Sequence, residues 1–405
     1  MKKVYITGAK RTPIGSFLGS LKDVSAPELG SYAIKGAVEQ SAIQPEDIDE
    51  VLLGNALPAG QGQGVARQAA IQAGLGVKIP AYSLNMVCGS GLKTVMNAYL
   101  SIRAGEYNVV VAGGTESMSQ APYLLPWKNR LGQKMGGYEV KDHMLDDALT
   151  DAFEGYHMGV TAENIVEQYG ITREAQDKFA INSQHKAIAA VDQGLFKDEI
   201  VPVETKVRRE TVVVDTDEYP NRKTSEEKLN GLRAVFKKAG SVTAGNASGI
   251  NDGASATVLV SEDYLEEHNL TPLVEVVAIG QGGVDPSVMG LGPTPAIKQA
   301  IERAGIAFEE IDVFELNEAF ASQSLGVIKE ITEEFGVSEE YILERTNLNG
   351  GAIALGHPVG ASGNRVLVTL IHIMKNRALK YGLATLCIGG GMGVAVLVKN
   401  TDKIE

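Results

Sequence analysis

The amino-acid sequence predicts an α/β fold made of two similar halves, and an internal repeat is the main reason. Residues 33–49 and 296–312 align without a gap. Each stretch has apolar residues three and four positions apart, which is typical of an amphipathic helix. Each is followed by a turn and a short apolar strand, at residues 50–54 and 313–316. Strands that alternate with helices favour a layered α/β architecture.

A second, looser similarity sets residues 88–92 beside residues 360–364, and chance is the alternative explanation for it. Both segments are rich in small residues, and we expect each to begin a helix that leads to a strand ending in glycines. The predicted helices are residues 92–104 and 365–376, and the predicted strands are residues 109–114 and 384–391.

The repeat divides the chain into two halves and an excursion between them. We predict an N-terminal half made of residues 1–118 and 250–272, and a C-terminal half made of residues 273–405. Residues 119–249 differ in character, with several charged stretches, and are predicted to form a separate loop domain. The apolar residues 254–260 then return the chain to the sheet of the N-terminal half.

Composition and charge exclude several classes of protein. The 405 residues are 44% hydrophobic and 21% charged, which is ordinary for a globular chain with a sizeable core. The net charge of −13 argues against a nucleic-acid or anionic-membrane surface. No run reaches the roughly 20 apolar residues that cross a bilayer, and the start is too short for a signal peptide. Two cysteines make no disulfide framework, so we expect a cytoplasmic protein.

The two cysteines lie among glycines, which indicates a pair of working thiols. Cys88 precedes a predicted helix, where Gly89 and Gly91 allow the backbone to approach a ligand closely. The free N–H groups at a helix N-terminus favour a thiolate and can stabilise an oxyanion. Cys387 follows a buried strand and enters the glycines at 389–391. The alternative is that either cysteine is a small buried hydrophobe.

Histidine and asparagine side chains complete the candidate site. His357 is one of six histidines and lies in the glycine-dense segment 350–363, where an imidazole can take the proton of a thiol. Asn317 ends a predicted strand, and a structural cap is the alternative for it. His157 and Met158 precede a predicted helix, and core packing is the alternative for the methionine. No spacing typical of a metal site occurs, so we expect no metal.

Four motifs, in this order along the chain, resemble those of the thiolase family. They are residues 85–93, 317–320, 350–363 and 387–393. The resemblance runs nearly end to end and is strongest to the biosynthetic acetyl-CoA acetyltransferase branch. It implies a thiolase-like α/β fold, in which two repeated βαβαβαββ halves form a five-layered αβαβα arrangement with a loop domain. It also implies that the loop domain binds coenzyme A and joins dimers into a homotetramer.

The resemblance also implies a reaction and a role for each residue. Two molecules of acetyl-CoA would give acetoacetyl-CoA and CoA in a reversible Claisen condensation. Cys88 would carry the acetyl group after activation by His357, and Cys387 would move the α-proton. The enolate oxygen would be held by His357 and a water on Asn317, and the N–H groups of Cys88 and Gly389 would form the other oxyanion hole. No cofactor is implied beyond coenzyme A as the substrate carrier.

Further positions match family residues that contact substrate, and those around His157 resemble the short-chain acetoacetyl-CoA branch. Two readings remain open: a degradative 3-ketoacyl-CoA thiolase of broader chain length, and a non-catalytic thiolase-like lipid-binding protein. The residues expected to bind the acyl group or coenzyme A are Leu149, His157, Met158, Arg222, Ala244, Ser248, Ala319 and Phe320.

Overall fold

A computed structural model describes residues 2–207 and 209–402 of the protein. The two predicted halves and the predicted loop domain include residues 1, 208 and 403–405, which lie outside the described residues. The strands are β1 (Val4–Arg11), β2 (Gly15–Ser16), β3 (Glu50–Gly54), β4 (Ala81–Leu84), β5 (Val109–Ser117), β6 (Tyr123–Leu124), β7 (Lys141–Asp142), β8 (Val203–Val207), β9 (Glu210–Val214), β10 (Asn251–Ser261), β11 (Val274–Gly283), β12 (Val313–Leu316), β13 (Tyr381–Ile388) and β14 (Met392–Asn400). The helices are α1 (Ala26–Ser41), α2 (Val65–Gln72), α3 (Ser90–Ala104), α4 (Met158–Tyr169), α5 (Arg173–Asp192), α6 (Glu226–Asn230), α7 (Glu262–Glu267), α8 (Pro293–Ala304), α9 (Ala321–Phe335), α10 (Glu339–Arg345), α11 (Ala352–Leu355) and α12 (Val359–Arg377).

Each half contributes one sheet, and the two sheets meet edge to edge. The first runs in the order β4, β3, β5, β10, β1, and the second in the order β11, β14, β13, β12. Strands β1 and β11 join them through the antiparallel pairs Tyr5–Glu275 and Ile6–Val274. The predicted return strand is confirmed, because β10 lies antiparallel between β1 and β5. Among the described residues, no helix is long and apolar enough to span a membrane.

Helices α3 and α12 form a central layer between the two sheets. Their apolar side chains share one buried cluster with the inner faces of both sheets. A second cluster packs α1 and α2 on the outer face of the first sheet. A third packs α8 and α9 on the outer face of the second sheet. The result is the five-layered αβαβα arrangement that the resemblance to thiolases implied.

The repeated helix–strand unit is present in both halves. Helix α1 begins at a capping box, in which the Ser25 hydroxyl accepts from the Glu28 N–H and the Glu28 carboxylate accepts from the Ser25 N–H. Helix α8 begins with Pro293, which suits the first turn because proline needs no N–H partner there. The strands that follow, β3 and β12, have the predicted bounds.

The starts predicted for α3 and α12 are wrong, because glycines that suggested a loop lie inside the helices. Helix α3 begins at Ser90 and α12 at Val359. A Cβ atom on Gly91 would lie 2.8 Å from the Asn364 backbone nitrogen and 3.0 Å from the Gly360 carbonyl oxygen. The first turns of the two helices therefore approach each other backbone to backbone, which only glycine permits here.

Candidate active site

The turn that carries Cys88 is held in a strained conformation just before α3. Val87 has a φ of 45°, in the left-handed region that β-branched residues rarely adopt. The Ser90 hydroxyl accepts from the Met86 N–H at 2.8 Å and donates to the Val87 carbonyl at 2.6 Å. The Asn85 side chain accepts from the Val87 N–H at 2.9 Å. Strain fixed by such a network is a common feature of functional sites.

The Cys88 thiol faces backbone N–H groups, yet it is protonated at neutral pH. Burial raises its pKa to about 11, although hydrogen bonds from the N–H groups of Gly389 and of Cys88 itself lower it. The N–H groups thus act in the expected direction and favour a thiolate, but in the free protein the loss of solvation outweighs them. A neighbouring base has to remove the proton.

The Cys387 thiol lies beside Cys88, at the end of β13. It is only 1% exposed, and burial raises its pKa, with the nearby Cys88 adding to the increase. It packs in a small apolar cluster that includes Met158, Ala319 and Phe320. Both thiols are therefore neutral at rest, and their closeness allows one to act on what the other carries.

His357 lies just before α12 and makes contacts through its backbone N–H and both ring nitrogens. Its backbone N–H donates to the Asn251 side chain at 2.9 Å. The ring Nδ1 lies 2.5 Å from the Ser362 hydroxyl. The ring Nε2 lies 3.5 Å from the Asn317 amide nitrogen. The Asn317 Oδ1 is buried and has no hydrogen-bond partner among the described residues, so it is free to accept a hydrogen bond inside the site.

The imidazole of His357 is neutral at physiological pH. Burial, together with the positive charge of Arg365, lowers its pKa to about 4. A neutral imidazole is able to accept a proton, for example from a thiol. The fold therefore places a thiol and a neutral imidazole just before the first turns of two neighbouring helices.

A cavity of 540 Å³ opens from His357 toward the surface. Predicted site residues that line it are Leu149, His157, Ala244, Ser248 and Phe320. The His157 ring caps α4, where its Nδ1 accepts from the Gly159 N–H at 3.0 Å. It also stacks on Phe236 at a centroid distance of 4.6 Å. The stacked rings form an aromatic wall of the cavity.

Three predicted substrate-binding residues do not line this cavity. Met158 and Ala319 pack in the buried cluster around Cys387, and Arg222 lies on the surface. Its guanidinium is paired with the Asp192 carboxylate, and its side chain is 57% exposed. A neighbouring depression of 860 Å³ shares Ala244 with the cavity and is lined by Tyr219 and Lys228. An extended ligand that leaves the cavity would pass over this depression.

The buried carboxylate of Glu116 was not predicted as a site residue. It accepts from the N–H groups of Ala56 (2.8 Å), Leu57 (3.1 Å) and Gly360 (2.9 Å), and from the Asn55 amide at 2.8 Å. Burial raises its pKa to about 7, and the backbone N–H groups oppose this increase. Glu116 thus ties the first turn of α12 to the loop after β3.

The remaining polar groups of the described residues offer no obvious metal centre. Within residues 2–207 and 209–402, no three His, Cys, Asp or Glu side chains are grouped in a way that could hold a metal ion. The groups that face the Cys88 thiol include the backbone N–H groups of Gly389 and Cys88, and the His357 imidazole faces the Asn317 amide.

The five-layered fold, with two cysteine thiols and a neutral imidazole in one region, is that of a class of acyltransferases. The chain belongs to the thiolase family: residues 4–263 match the thiolase N-terminal domain and residues 270–400 match the thiolase C-terminal domain. The family expected from the sequence motifs is confirmed.

Relatives at high identity cover almost the whole chain. An acetyl-CoA acetyltransferase of Syntrophomonas wolfei is 50% identical over 401 residues, covering 98% of this chain and 99% of that protein. The acetyl-CoA acetyltransferase of Escherichia coli is 50% identical over 402 residues, covering 99% of this chain and 100% of that protein. A solved acetyl-CoA acetyltransferase from Bacillus anthracis has a TM-score of 0.94 at 43% identity, with 99% of each chain covered. Human mitochondrial 3-ketoacyl-CoA thiolase has a TM-score of 0.93 at 41% identity, also with 99% of each chain covered.

Proposed function

We propose that this chain is an acetyl-CoA C-acetyltransferase. It would join two molecules of acetyl-CoA into acetoacetyl-CoA and CoA, reversibly, through an acetyl group on Cys88. The observation that carries the proposal is the position of the Cys88 thiol, which faces the Gly389 N–H and lies beside Cys387. The relatives that are about half identical and are named acetyl-CoA acetyltransferases support the same activity.

In the first half-reaction, His357 Nε2 takes the proton of Cys88 as the sulfur attacks the thioester carbonyl. The N–H groups of Cys88 and Gly389 stabilise the oxyanion, and one such donor contributes roughly 3–4 kcal/mol. The bond to the coenzyme A sulfur then breaks. The leaving thiolate takes the proton of Cys387, so that CoA departs as a thiol. Acetyl-Cys88, a Cys387 thiolate and a protonated His357 remain.

In the second half-reaction, the Cys387 thiolate removes an α-proton from the second acetyl-CoA. The protonated Nε2 of His357 and a water bound to Asn317 Oδ1 hold the enolate oxygen. The enolate carbon attacks the acetyl group, and the bond between that group and Cys88 breaks. The Cys88 thiolate recovers its proton from His357, which restores the resting site and releases acetoacetyl-CoA.

The activity is tested by thiolysis of acetoacetyl-CoA with CoA. The reaction is monitored as the loss of the absorbance of the acetoacetyl-CoA enolate. We expect turnover that is abolished in Cys88→Ser. Undiminished turnover in that variant would refute the nucleophile. Because the mechanism uses no group beyond coenzyme A, we also expect full activity after dialysis against EDTA.

A degradative 3-ketoacyl-CoA thiolase is the second candidate, and the likeness to the human mitochondrial enzyme of that name favours it. Against it stands the aromatic wall formed by His157 and Phe236, which closes one side of the cavity. A chain-length series of 3-ketoacyl-CoA substrates separates the two. The proposal expects the highest kcat/KM for acetoacetyl-CoA, and a preference for chains of ten or more carbons would favour the second candidate.

We further propose that the protein assembles as a homotetramer through part of the loop domain. Large apolar side chains are strongly exposed there, including Met135 at 91% and Leu131 at 74%. Such a cluster is typical of an interaction surface. Light scattering should give the mass of four chains, and Leu131→Ser with Met135→Ser should give smaller species. A tetramer that survives both substitutions would place the interface elsewhere.

The proposed compartment is the cytoplasm, because the mechanism needs both Cys88 and Cys387 as free thiols. Reducing compartments keep thiols free, whereas secreted proteins commonly form disulfides. Cell fractionation with the thiolysis assay tests this, and activity confined to an exported fraction would contradict it.

A further inference from the structure

A hydroxyl group on α12 contacts the His357 ring at Nδ1, whereas Asn317 faces the other ring nitrogen. Ser362 is fully buried, and its Oγ lies 2.5 Å from His357 Nδ1. The same Oγ lies 2.9 Å from the Pro358 carbonyl oxygen. A carbonyl oxygen only accepts hydrogen bonds, so the single proton of the hydroxyl is directed to Pro358.

The direction of this hydroxyl decides which ring nitrogen carries the proton. Because the Ser362 proton points to Pro358, the oxygen presents a lone pair to His357 Nδ1. The favourable partner for that lone pair is an Nδ1–H group, which leaves Nε2 as the unprotonated nitrogen. Nε2 is also the nitrogen that the Asn317 amide approaches at 3.5 Å, so both contacts favour the same tautomer.

The hydroxyl itself is anchored by the start of the helix. The Pro358 carbonyl also accepts from the N–H groups of Ala361 and Ser362, each at 2.9 Å. The position of Ser362 is thus fixed by the first turn of α12, and the backbone of His357 is fixed separately by Asn251. Because the Ser362 hydroxyl and the His357 backbone are each fixed by other hydrogen bonds, the fold itself sets the short contact between the hydroxyl and the ring.

We propose that Ser362 is a positioning residue that holds His357 in the Nδ1–H tautomer, so that Nε2 is free to take the proton of Cys88. The inference rests on the proposed function, because it gives His357 the role of base. When Nε2 receives that proton, Nδ1–H remains bonded to Ser362 and the positive ring gains a stronger hydrogen bond. The same contact therefore also supports the charged ring that holds the enolate oxygen.

The test compares Ser362→Ala with Ser362→Thr, which keeps the hydroxyl. Ser255→Ala is the matched control, because the fully buried Ser255 donates to the Ala361 carbonyl at 3.0 Å in the same helical turn. We expect kcat for acetoacetyl-CoA thiolysis to fall about 10- to 100-fold in Ser362→Ala, with KM little changed. Ser362→Thr and Ser255→Ala should stay within about threefold of the wild type.

A second measurement separates this inference from the proposed function. The rate of Cys88 alkylation by iodoacetamide at neutral pH depends on proton removal by His357, and needs no acyl-CoA. We expect alkylation to slow about tenfold in Ser362→Ala. A wild type without thiolysis activity would refute the proposed function, and the alkylation rates would still decide the role of Ser362.

The inference is overturned if folded Ser362→Ala has the alkylation rate and kcat of the wild type. A role limited to packing would lower the melting temperature while leaving the rates of the folded protein unchanged. If Ser362→Ala does not fold, Ser362→Gly, which also lacks the hydroxyl, is judged by the same two rates.

Discussion

Replacing Gly91 by alanine should separate the two helix ends that form the site. The new Cβ would lie 2.8 Å from the Asn364 nitrogen, 3.0 Å from the Gly360 oxygen and 3.1 Å from the Ala361 oxygen. All three atoms belong to the backbone, so no side chain is able to rotate away. Relief requires that α3 and α12 move apart by about 0.5 Å, because contacts closer than about 3.4 Å are repulsive.

Two quantities follow from this separation. Overpacking of a core lowers the free energy of unfolding by about 1–3 kcal/mol. Because the new Cβ meets only backbone atoms, we expect a loss of about 3 kcal/mol for Gly91→Ala. A displacement of 1 Å between reacting groups costs about 100-fold in rate, so half of that distance predicts a kcat about tenfold lower. The kcat falls because Cys88 precedes α3 and His357 precedes α12.

The assay measures the free energy of unfolding by urea titration and kcat by thiolysis. Gly76→Ala is the control, since a Cβ there has nothing within 4 Å, and it should leave both values unchanged. If Gly91→Ala matched that control in stability and in kcat, the close approach of the helix ends would not be what assembles the site.

Three further predictions concern buried charges. Glu116→Gln sets an amide N–H against backbone N–H groups such as that of Gly360. We expect the free energy of unfolding to fall by about 2–4 kcal/mol, and an unchanged urea midpoint would contradict this. Arg365→Met removes a charge that lowers the pKa of His357. The acid limb of the kcat/KM profile should therefore move to higher pH, whereas Arg303→Met, on the outer helix α8, should not move it. For His357 itself, the folded-state pKa of about 4 lies below the ordinary value of 6.5, so between these values the unfolded chain binds a proton that the folded chain does not. The wild type should lose about 1 kcal/mol relative to His357→Gln between pH 7 and pH 5.5, and equal losses in both proteins would refute the neutral imidazole.

Much of the fold was predictable because the repeat carries its own pattern. The helix and strand at residues 33–54 and those at residues 296–316 share one arrangement of apolar residues, so each half supports the interpretation of the other. The helix starts were not predictable in the same way. Glycine disfavours a helix locally, and only the partner helix shows why Gly91 lies inside one.

The site residues also differ in whether neighbouring sequence or distant segments reveal them. Cys88, His357, Cys387 and Asn317 lie in motifs whose residue types indicate chemistry, and the structure brings them together. Whether each performs its assigned role remains a prediction. Glu116 lies in a buried strand, and its partners come from segments about 60 and 244 residues away. No spacing in the sequence indicates such partners.

Ser362 was partly predictable from the sequence, because it lies close to His357 along the chain. It lies five residues after His357, in a segment whose glycines drew attention to the loop rather than to the hydroxyl. A helix that starts at Val359 brings that hydroxyl under the ring. The predicted start at residue 365 leaves Ser362 outside the helix, so the error in the helix boundary also concealed the residue. The protonation of Cys88 was missed for a related reason, because burial is set by the whole fold.

The central claim is that Cys88 carries the acetyl group and Cys387 does not. Brief incubation with acetyl-CoA, acid quenching and intact-mass spectrometry test it directly, followed by peptide mapping. We predict a mass increase of about 42 Da, the difference between an acetyl group and a hydrogen, located on Cys88 in the wild type and in Cys387→Ala. The increase should be absent in Cys88→Ser. An acetyl group on Cys387, or no acetylated wild-type protein, would contradict the account.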